Sequence, residues 1–223
     1  MEVARAESGR GELVLRARED GVLELRANGV FVMDTAETTS ERALATEALR
    51  RHDDPRTVLV GGLGLGFTLA EVLADDRVRS VVVAEIEPAL VGWLREGTVP
   101  HGPALLSDPR VEVAEGDVAD VLAAAESAYD LVLLDVDNGP GYLVHEANAA
   151  LYGAGLLAAT RRAIRPGGLC VVWSAARDET LGKTMTRVFG EAEEAAYDVD
   201  LQGRDEQYWL YWSRRGPRVR STS

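Results

Sequence analysis

Residues 58–73 read VLVGGLGLGFTLAEVL, and this stretch decides the fold. Thr57 to Gly61 is a short apolar run with the length of a buried strand. Gly61, Gly62, Gly64 and Gly66 interrupt any regular continuation, and Phe67 to Leu73 resumes with helical spacing. Strand, glycine turn and helix open a nucleotide-binding βαβ unit. Glycine serves such a turn because the chain must bend tightly and approach a ligand with no Cβ in between. The spacing is G-x-G-x-G over Gly62, Gly64 and Gly66; the dinucleotide pattern G-x-G-x-x-G fails at Phe67. The next apolar run, SVVVAEIEP from Ser80 to Pro88, reads as a second buried strand ending in acids. Glu85 lies 19 residues beyond Gly66, about where a Rossmann-type fold places the carboxylate that accepts both ribose hydroxyls.

The length, 223 residues, fits one α/β domain with a small extension, and 46% hydrophobic residues suffice for a core. A net charge of −13 argues against nucleic acid and against anionic membranes as partners. The single cysteine, Cys170, sits in the apolar run LCVVW and reads as a buried structural thiol. His52, His101 and His145 stand apart from one another and from the cysteine, so no metal site is expected. The segment MEVARAESGRGE has no apolar signal core, and no run approaches membrane-spanning length. The expectation is a soluble, cytoplasmic protein.

Outward from the glycine stretch, Glu12 to Asp34 reads as short strands: ELVLRAR and VLELRA alternate, Asn28-Gly29 marks a hairpin, and VFVMD follows. Thr38 to His52 reads as a helix capped by Thr39 or Ser40, with Leu44, Ala48 and Leu49 on its apolar stripe. After the two strands above, a helix is expected from Pro88 to Glu96, then a loop, GTVPHGPALLSDP. A third strand runs from Arg110 to Ala114, a helix from Val118 to Ala125, and a fourth strand from Leu131 to Asp135. A helical region spans Val144 to Ile164, stopped by Pro166-Gly167-Gly168, and LCVVWSA is the fifth strand. Glu179 to Phe189 is a helix, and AAYDVDLQ with QYWLYWSR makes an antiparallel pair. The alternation of YWLYW suits a buried strand better than a ligand-stacking platform. Alternating strands and helices predict a parallel sheet, made mixed by the last hairpin.

Four consecutive strands end in Gly62-x-Gly64, Glu85, Asp117 and Asp135. Ligands of open α/β sheets bind at those ends. An acid after a strand often only caps the next helix, but four in order suit an adenosine. Glu85 would take the ribose, Asp117 the adenine amino group, and Asp135 would face the reactive end. No G-x-x-x-x-G-K-[ST] occurs, which argues against a nucleoside triphosphate. A cationic adenosyl sulfonium fits acids better.

These motifs resemble those of spermidine synthases. VGGLGLGFTLAEVL is similar to that family's glycine segment, Asp108-Pro109-Arg110-Val111 with Gly116-Asp117 to its D-P-R-V…G-D, and Tyr129-Asp130-Leu131-Val132…Asp135 to its Y-D-V-I-x-D. Asn28-Gly29 and Glu47-Ala48-Leu49 sit where the family has D-G-x-x-Q and Y-H-E-M-L. The likeness covers roughly Leu23 to Trp173. It implies the class I adenosylmethionine-dependent transferase fold, with Glu85 on the ribose, Asp117 at adenine and Asp135 near the reacting atoms. The family's glutamine is Val32 here, its Tyr-His pair is Ala45-Thr46, and its glycine-loop acid is Gly64. Its D-S-S-D-P becomes Asp135-Val136-Asp137-Asn138-Gly139, so one of the carboxylates that would grip a diamine dication is an amide.

The reading is therefore an α/β, Rossmann-like class I methyltransferase fold: a mixed, mostly parallel sheet with a C-terminal antiparallel hairpin and a small N-terminal β-hairpin extension. Residues 1–52 form the hairpin cap and lead-in helix, 53–214 the S-adenosylmethionine-binding domain, and 215–223 a disordered tail. Gly62, Gly64, Gly66, Glu85 and Asp117 bind the cofactor, S-adenosylmethionine or its decarboxylated form, and Asp135 is catalytic. Methyl transfer to a small-molecule acceptor stands first because Gly64 makes the loop read like that of a plain methyltransferase. Aminopropyl transfer stands second, with Asp137 in place of the missing carboxylate. A non-catalytic adenosyl-ligand-binding protein is third. The resemblance also makes the N-terminal hairpins the candidate interface of a homodimer.

Overall fold

The computed structural model describes residues 1–136, 151–201 and 203–217. Four strands open the chain: β1 (Glu2–Ser8), β2 (Gly11–Ala17), β3 (Leu23–Ala27) and β4 (Val30–Asp34). The helix α1 (Thr39–Arg50) leads into β5 (Thr57–Gly61), the strand of the glycine stretch, and α2 (Phe67–Leu73) follows. Then come β6 (Ser80–Glu85), α3 (Pro88–Glu96), α4 (Gly102–Leu106), β7 (Val111–Glu115), α5 (Val118–Ala124) and β8 (Tyr129–Leu134). The last elements are α6 (Ala154–Ala163), β9 (Ile164–Ser174), α7 (Glu179–Phe189), β10 (Glu193–Leu201) and β11 (Arg204–Arg214).

Seven strands form one sheet in the order β10-β11-β9-β8-β5-β6-β7, and β1 to β4 form a separate antiparallel sheet. Strands β9, β8, β5, β6 and β7 run parallel, while β11 and β10 are antiparallel to their neighbours. This is the expected Rossmann-like architecture. All six residues of β8 are buried, as befits a parallel strand covered on both faces. Alternate residues of β5 feed two cores. Val58 and Val60 join Leu44, Leu69 and Leu94 on one face; Leu59 joins Val132, Leu157 and Met185 on the other.

The topology places the crevice. From β5 the chain moves outward to β6 and β7, then crosses back to β8 on the other side of β5. Strand order thus reverses between β5 and β8, and ligands bind beyond the carboxyl ends of strands at such a point. Gly62 follows β5 and Asp135 follows β8; the Asp135 amide donates to the Gly61 carbonyl at 2.8 Å.

Several expectations are corrected. The N-terminal sheet has four strands, because Glu2–Ser8 pairs with β2 although only Ala4 and Ala6 of it pack on the core. Neither Thr39 nor Ser40 caps α1: both lie inside it, and Thr38 at the cap position makes no side-chain capping bond, its hydroxyl accepting instead from Arg42 Nε at 3.0 Å. The expected loop after α3 contains α4, with Pro103 in its first turn. Of the helical region expected from Val144, residues 144–150 lie outside the described residues. The described part ends at Ala163, and Ile164 already begins β9. Pro166-Gly167-Gly168 sits in a bulge of that strand: β9 takes five steps, Ile164 to Leu169, where β8 takes two, Tyr129 to Leu131. The start of the tail is anchored, since Arg215 exchanges backbone bonds with Gly167 and Gly168 at 2.7 and 2.9 Å; residues 218–223 lie outside the described residues. Among the described residues no helix is long and apolar enough to cross a membrane.

Candidate functional site

The glycine loop is the floor of a cleft. Gly62, Gly64 and Gly66 all have positive φ, at 91°, 50° and 90°. A Cβ on Gly62 would overlap the Asp135 carbonyl, so the close crossing of the loop and the β8 end requires glycine there. A Cβ on Gly64 would stand 2.8 Å from Met33 Sδ, which also accepts the Leu65 amide at 3.3 Å. His101 holds the loop from behind, with Nε2 2.6 Å from the Leu65 carbonyl.

Glu85 ends β6 beside this loop and is only 5% exposed. Its Oε2 accepts the Leu63 amide and its Oε1 the Glu87 amide, each at 2.8 Å. Burial raises its carboxyl above the ordinary range, and the backbone donors pull the other way. A carboxylate offers about four acceptor positions, so capacity remains for ligand hydroxyls. Asp117 caps α5 through the Ala119 amide at 2.8 Å and lines the cleft as well. Asp135 lies partly buried at the end of β8. Burial, with Glu41 and Glu85 nearby, pushes its carboxyl up to about 8. Gly62, Gly64, Glu85, Asp117 and Asp135 therefore meet in one cleft, as their positions at the strand ends require. Gly66 stands behind, as the left-handed cap of α2. Asp137 and Asn138 lie outside the described residues.

The cleft holds about 1230 Å³ of empty space, its open mouth included. Its lining adds residues to which the sequence reading assigned no role at the site: Asp34, Glu37, Glu41, Glu87, Trp173 and Tyr208, the last set aside there as part of a buried strand. Most of these acids are committed. Asp34 pairs with Arg18 at 3.0 Å and accepts the Ala36 and Glu37 amides. Glu37 accepts the Thr39 and Asp200 amides. Glu87 meets Arg10 at 3.5 Å and the Ser8 hydroxyl at 3.3 Å, which ties the β1–β2 turn across the mouth. Glu41 differs. It is 9% exposed, its one side-chain partner among the described residues is the Ser40 hydroxyl at 2.8 Å, and burial raises its carboxyl. A sequence signal existed: Glu41 falls three and four residues before Leu44 and Ala45, on the buried stripe of α1. The aromatic cluster is a buried strand at Leu210, Tyr211 and Trp212, as expected, but Tyr208 reaches the cleft edge-on to Trp173 with ring centroids 4.9 Å apart.

Other motif residues serve the scaffold. Asp130 accepts the Arg56 and Thr57 amides at 3.0 and 2.8 Å, pinning the start of β5 to β8. Asp108 orients Arg110, which donates to the Leu73 carbonyl at 2.8 Å. Cys170 is fully buried, and burial pushes its thiol up to about 12, so it is no nucleophile.

Fold and cleft together define a class I, Rossmann-like protein with an acid-lined cleft at the β5–β8 reversal. The spermine/spermidine synthase domain model matches residues 37–186, more than half of the chain. The chain belongs to that family. It is similar to polyamine aminopropyltransferase 2 of Pseudomonas aeruginosa, 32% identical over 169 residues, 71% of this chain and 46% of that protein. The polyamine aminopropyltransferase of Aeropyrum pernix is 28% identical over 212 residues, 86% of this chain and 65% of that protein. Putrescine N-methyltransferase 3 of Nicotiana tabacum is 33% identical over 119 residues, 52% of this chain and 29% of that protein. The chain thus spans about half to two thirds of the two aminopropyltransferases. The fold superposes on spermidine synthase from Thermotoga maritima with a TM-score of 0.81 at 16% identity, over 96% of this chain and 73% of that one.

Proposed function

We propose that the chain transfers an aminopropyl group from decarboxylated S-adenosylmethionine to an amine. The observation that carries this reading is the reacting end of the cleft, where Asp135 and Glu41 are carboxylates without a cationic partner among the described residues. Two such groups in one cavity suit a cationic acceptor. The two aminopropyltransferase relatives point the same way, and they favour it over the methyl transfer expected first from the sequence. The sulfonium donor supplies an electrophilic carbon: the amine nitrogen bonds to it as the sulfur–carbon bond breaks, and a neutral thioether leaves. Glu85 and Asp117 hold the nucleoside, and Asp135 takes the amine proton. An alkylammonium titrates near 10.4. The burial that raises the Asp135 carboxyl makes it a stronger base toward that proton than an exposed aspartate.

Methyl transfer to the same kind of amine is the second reading. It is favoured by Gly64, which leaves the loop without an acid, and by the putrescine N-methyltransferase likeness. Incubation with each donor and a panel of amines separates the two by the mass added to the acceptor. No product from either donor leaves a binding protein.

Gly64→Asp is expected to shift preference toward the decarboxylated donor, since a carboxylate there repels a methionine carboxylate and attracts an aminopropyl amine. The φ of 50° is one that aspartate tolerates, and Met33 Sδ, at the end of a flexible side chain, must move. Unchanged relative affinities by calorimetry place Gly64 away from the donor tail. We also propose the N-terminal sheet as a homodimer surface, because the exposed large apolar side chains Met1, Val3 and Val30 all belong to it or its edge. Sedimentation as a monomer at micromolar concentration removes that proposal.

A further inference from the structure

The peptide planes of the glycine loop are fastened one by one. Gly62, Gly64 and Gly66 have positive φ, while Leu63 and Leu65 between them do not. Planes flanked by glycine rotate with little steric resistance, so such an alternation needs holding. The Leu63 amide donates to Glu85 at 2.8 Å, the Gly66 amide to the Leu63 carbonyl at 2.9 Å, and the Leu65 amide to Met33 Sδ, a weak acceptor, at 3.3 Å. The Leu65 carbonyl lies 2.6 Å from His101 Nε2. A carbonyl only accepts, so Nε2 carries the proton. The Gly64 amide makes no hydrogen bond among the described residues, and Gly64 lines the cleft. Glu85 and Met33 line it too, whereas His101 does not. The His101 ring packs on Phe67 with centroids 5.0 Å apart, a contact that an apolar ring would make equally well. What histidine adds at this position is the Nε2 donor.

We propose that His101 is a positioning residue for the donor. Through the Leu65 carbonyl it fixes the loop around Gly64, against which the substituent on the nucleoside 5′ carbon lies. The inference rests on the adenosyl-ligand reading above and holds for either transferred group. In that reading Glu85 and Asp117 hold the nucleoside, and their grip does not pass through His101. The contact of the 5′ substituent with the loop does. A loop free to rotate between Leu65 and Gly66 offers that substituent several surfaces instead of one, and ordering it on binding costs affinity.

The test is calorimetric titration of the whole chain with 5′-methylthioadenosine and with adenosine, which differ only in the 5′ substituent. Wild type is expected to prefer 5′-methylthioadenosine by about tenfold, the value of burying a methylthio group. His101→Phe keeps a ring on Phe67 but has no donor. It is expected to lower that preference several-fold and to leave adenosine affinity unchanged. His101→Gln, whose amide nitrogen can donate from a similar place, is expected to keep the wild-type preference. A preference that the two variants share, whether retained or lost, overturns the proposal. So does an equal loss of both nucleosides in His101→Phe, the mark of a purely structural role, or a wild type that binds the two nucleosides equally. If wild type binds neither nucleoside, the adenosyl reading fails and takes this inference with it, and that outcome is distinct from the others. Should His101→Phe not fold, His101→Leu carries the same comparison, with the same results for and against.

Discussion

Asp135→Asn is expected to keep the fold and most of the adenosyl affinity while lowering turnover by about 10²–10⁴-fold, the usual contribution of a general base. The backbone of residue 135 is bonded to Gly61 through its amide, and the substitution leaves that bond intact. The amide side chain has nearly the same shape but cannot take a proton. Single-turnover kinetics with a saturating amine is the direct measurement. Wild-type rates in the variant reduce Asp135 to a turn residue.

The same substitution has an opposite effect on stability. The Asp135 carboxyl is raised from 3.8 to about 8 in the folded chain. Between those values the native state holds a proton that the unfolded chain has released, so stability falls as pH rises through this window. The contribution is fully present below about 4 and gone above about 8. Asp135→Asn has no such loss, so its Tm advantage over wild type is expected to grow with pH across the window. A bound cation lowers the carboxyl again, so saturating diamine should shrink the advantage. A Tm difference that is flat from pH 4 to 9 contradicts the burial argument.

Glu85→Ala is expected to weaken adenosyl-ligand binding by on the order of 10²–10⁴-fold, since two hydroxyls each lose a charged acceptor of about 1.5–3 kcal/mol. The structure adds a second effect, which position along the chain alone does not reveal. The same carboxylate accepts the Leu63 and Glu87 amides, and removing it leaves buried donors unpaired at about 1–3 kcal/mol. A drop in Tm should therefore accompany the lost affinity. Glu85→Gln retains an acceptor oxygen and separates the two effects: less unfolding, still weak binding. Unchanged affinity in Glu85→Ala removes the ribose assignment.

The glycine-loop side of the cleft was legible because its signals are local. A strand, a glycine turn and an acid at the next strand end occupy a short span, and β-α alternation carries the sheet. Asp135 was legible for the same reason, as the polar residue closing LVLL. The opposite wall was not. Glu41, Trp173 and Tyr208 lie on three elements far apart in the chain, and only the sheet order brings them together. The role of Asp34 was equally hidden, because its partner Arg18 sits across a hairpin. Strand β1 escaped because EVARAES buries no large side chain, and α4 because Pro103 and Gly102 read as a turn rather than as a first helical turn.

The crossing of Gly62 beneath Asp135 ties the proposed proton acceptor directly to the end of the parallel sheet, held by β5 on one side and by the glycine backbone below. The groups around the far end of the cavity hang instead on β4, α1 and the edge hairpin. The two halves of the reaction are therefore separately evolvable. A library restricted to Val32 and Tyr208 would vary the far wall of the cleft while keeping Met33, which packs on the glycine loop, and Glu41, which acts on Asp135, in place, and selection with a single fixed donor would read out acceptor range alone. Members that lose nucleoside affinity should be rare; if they are common, the two halves are coupled.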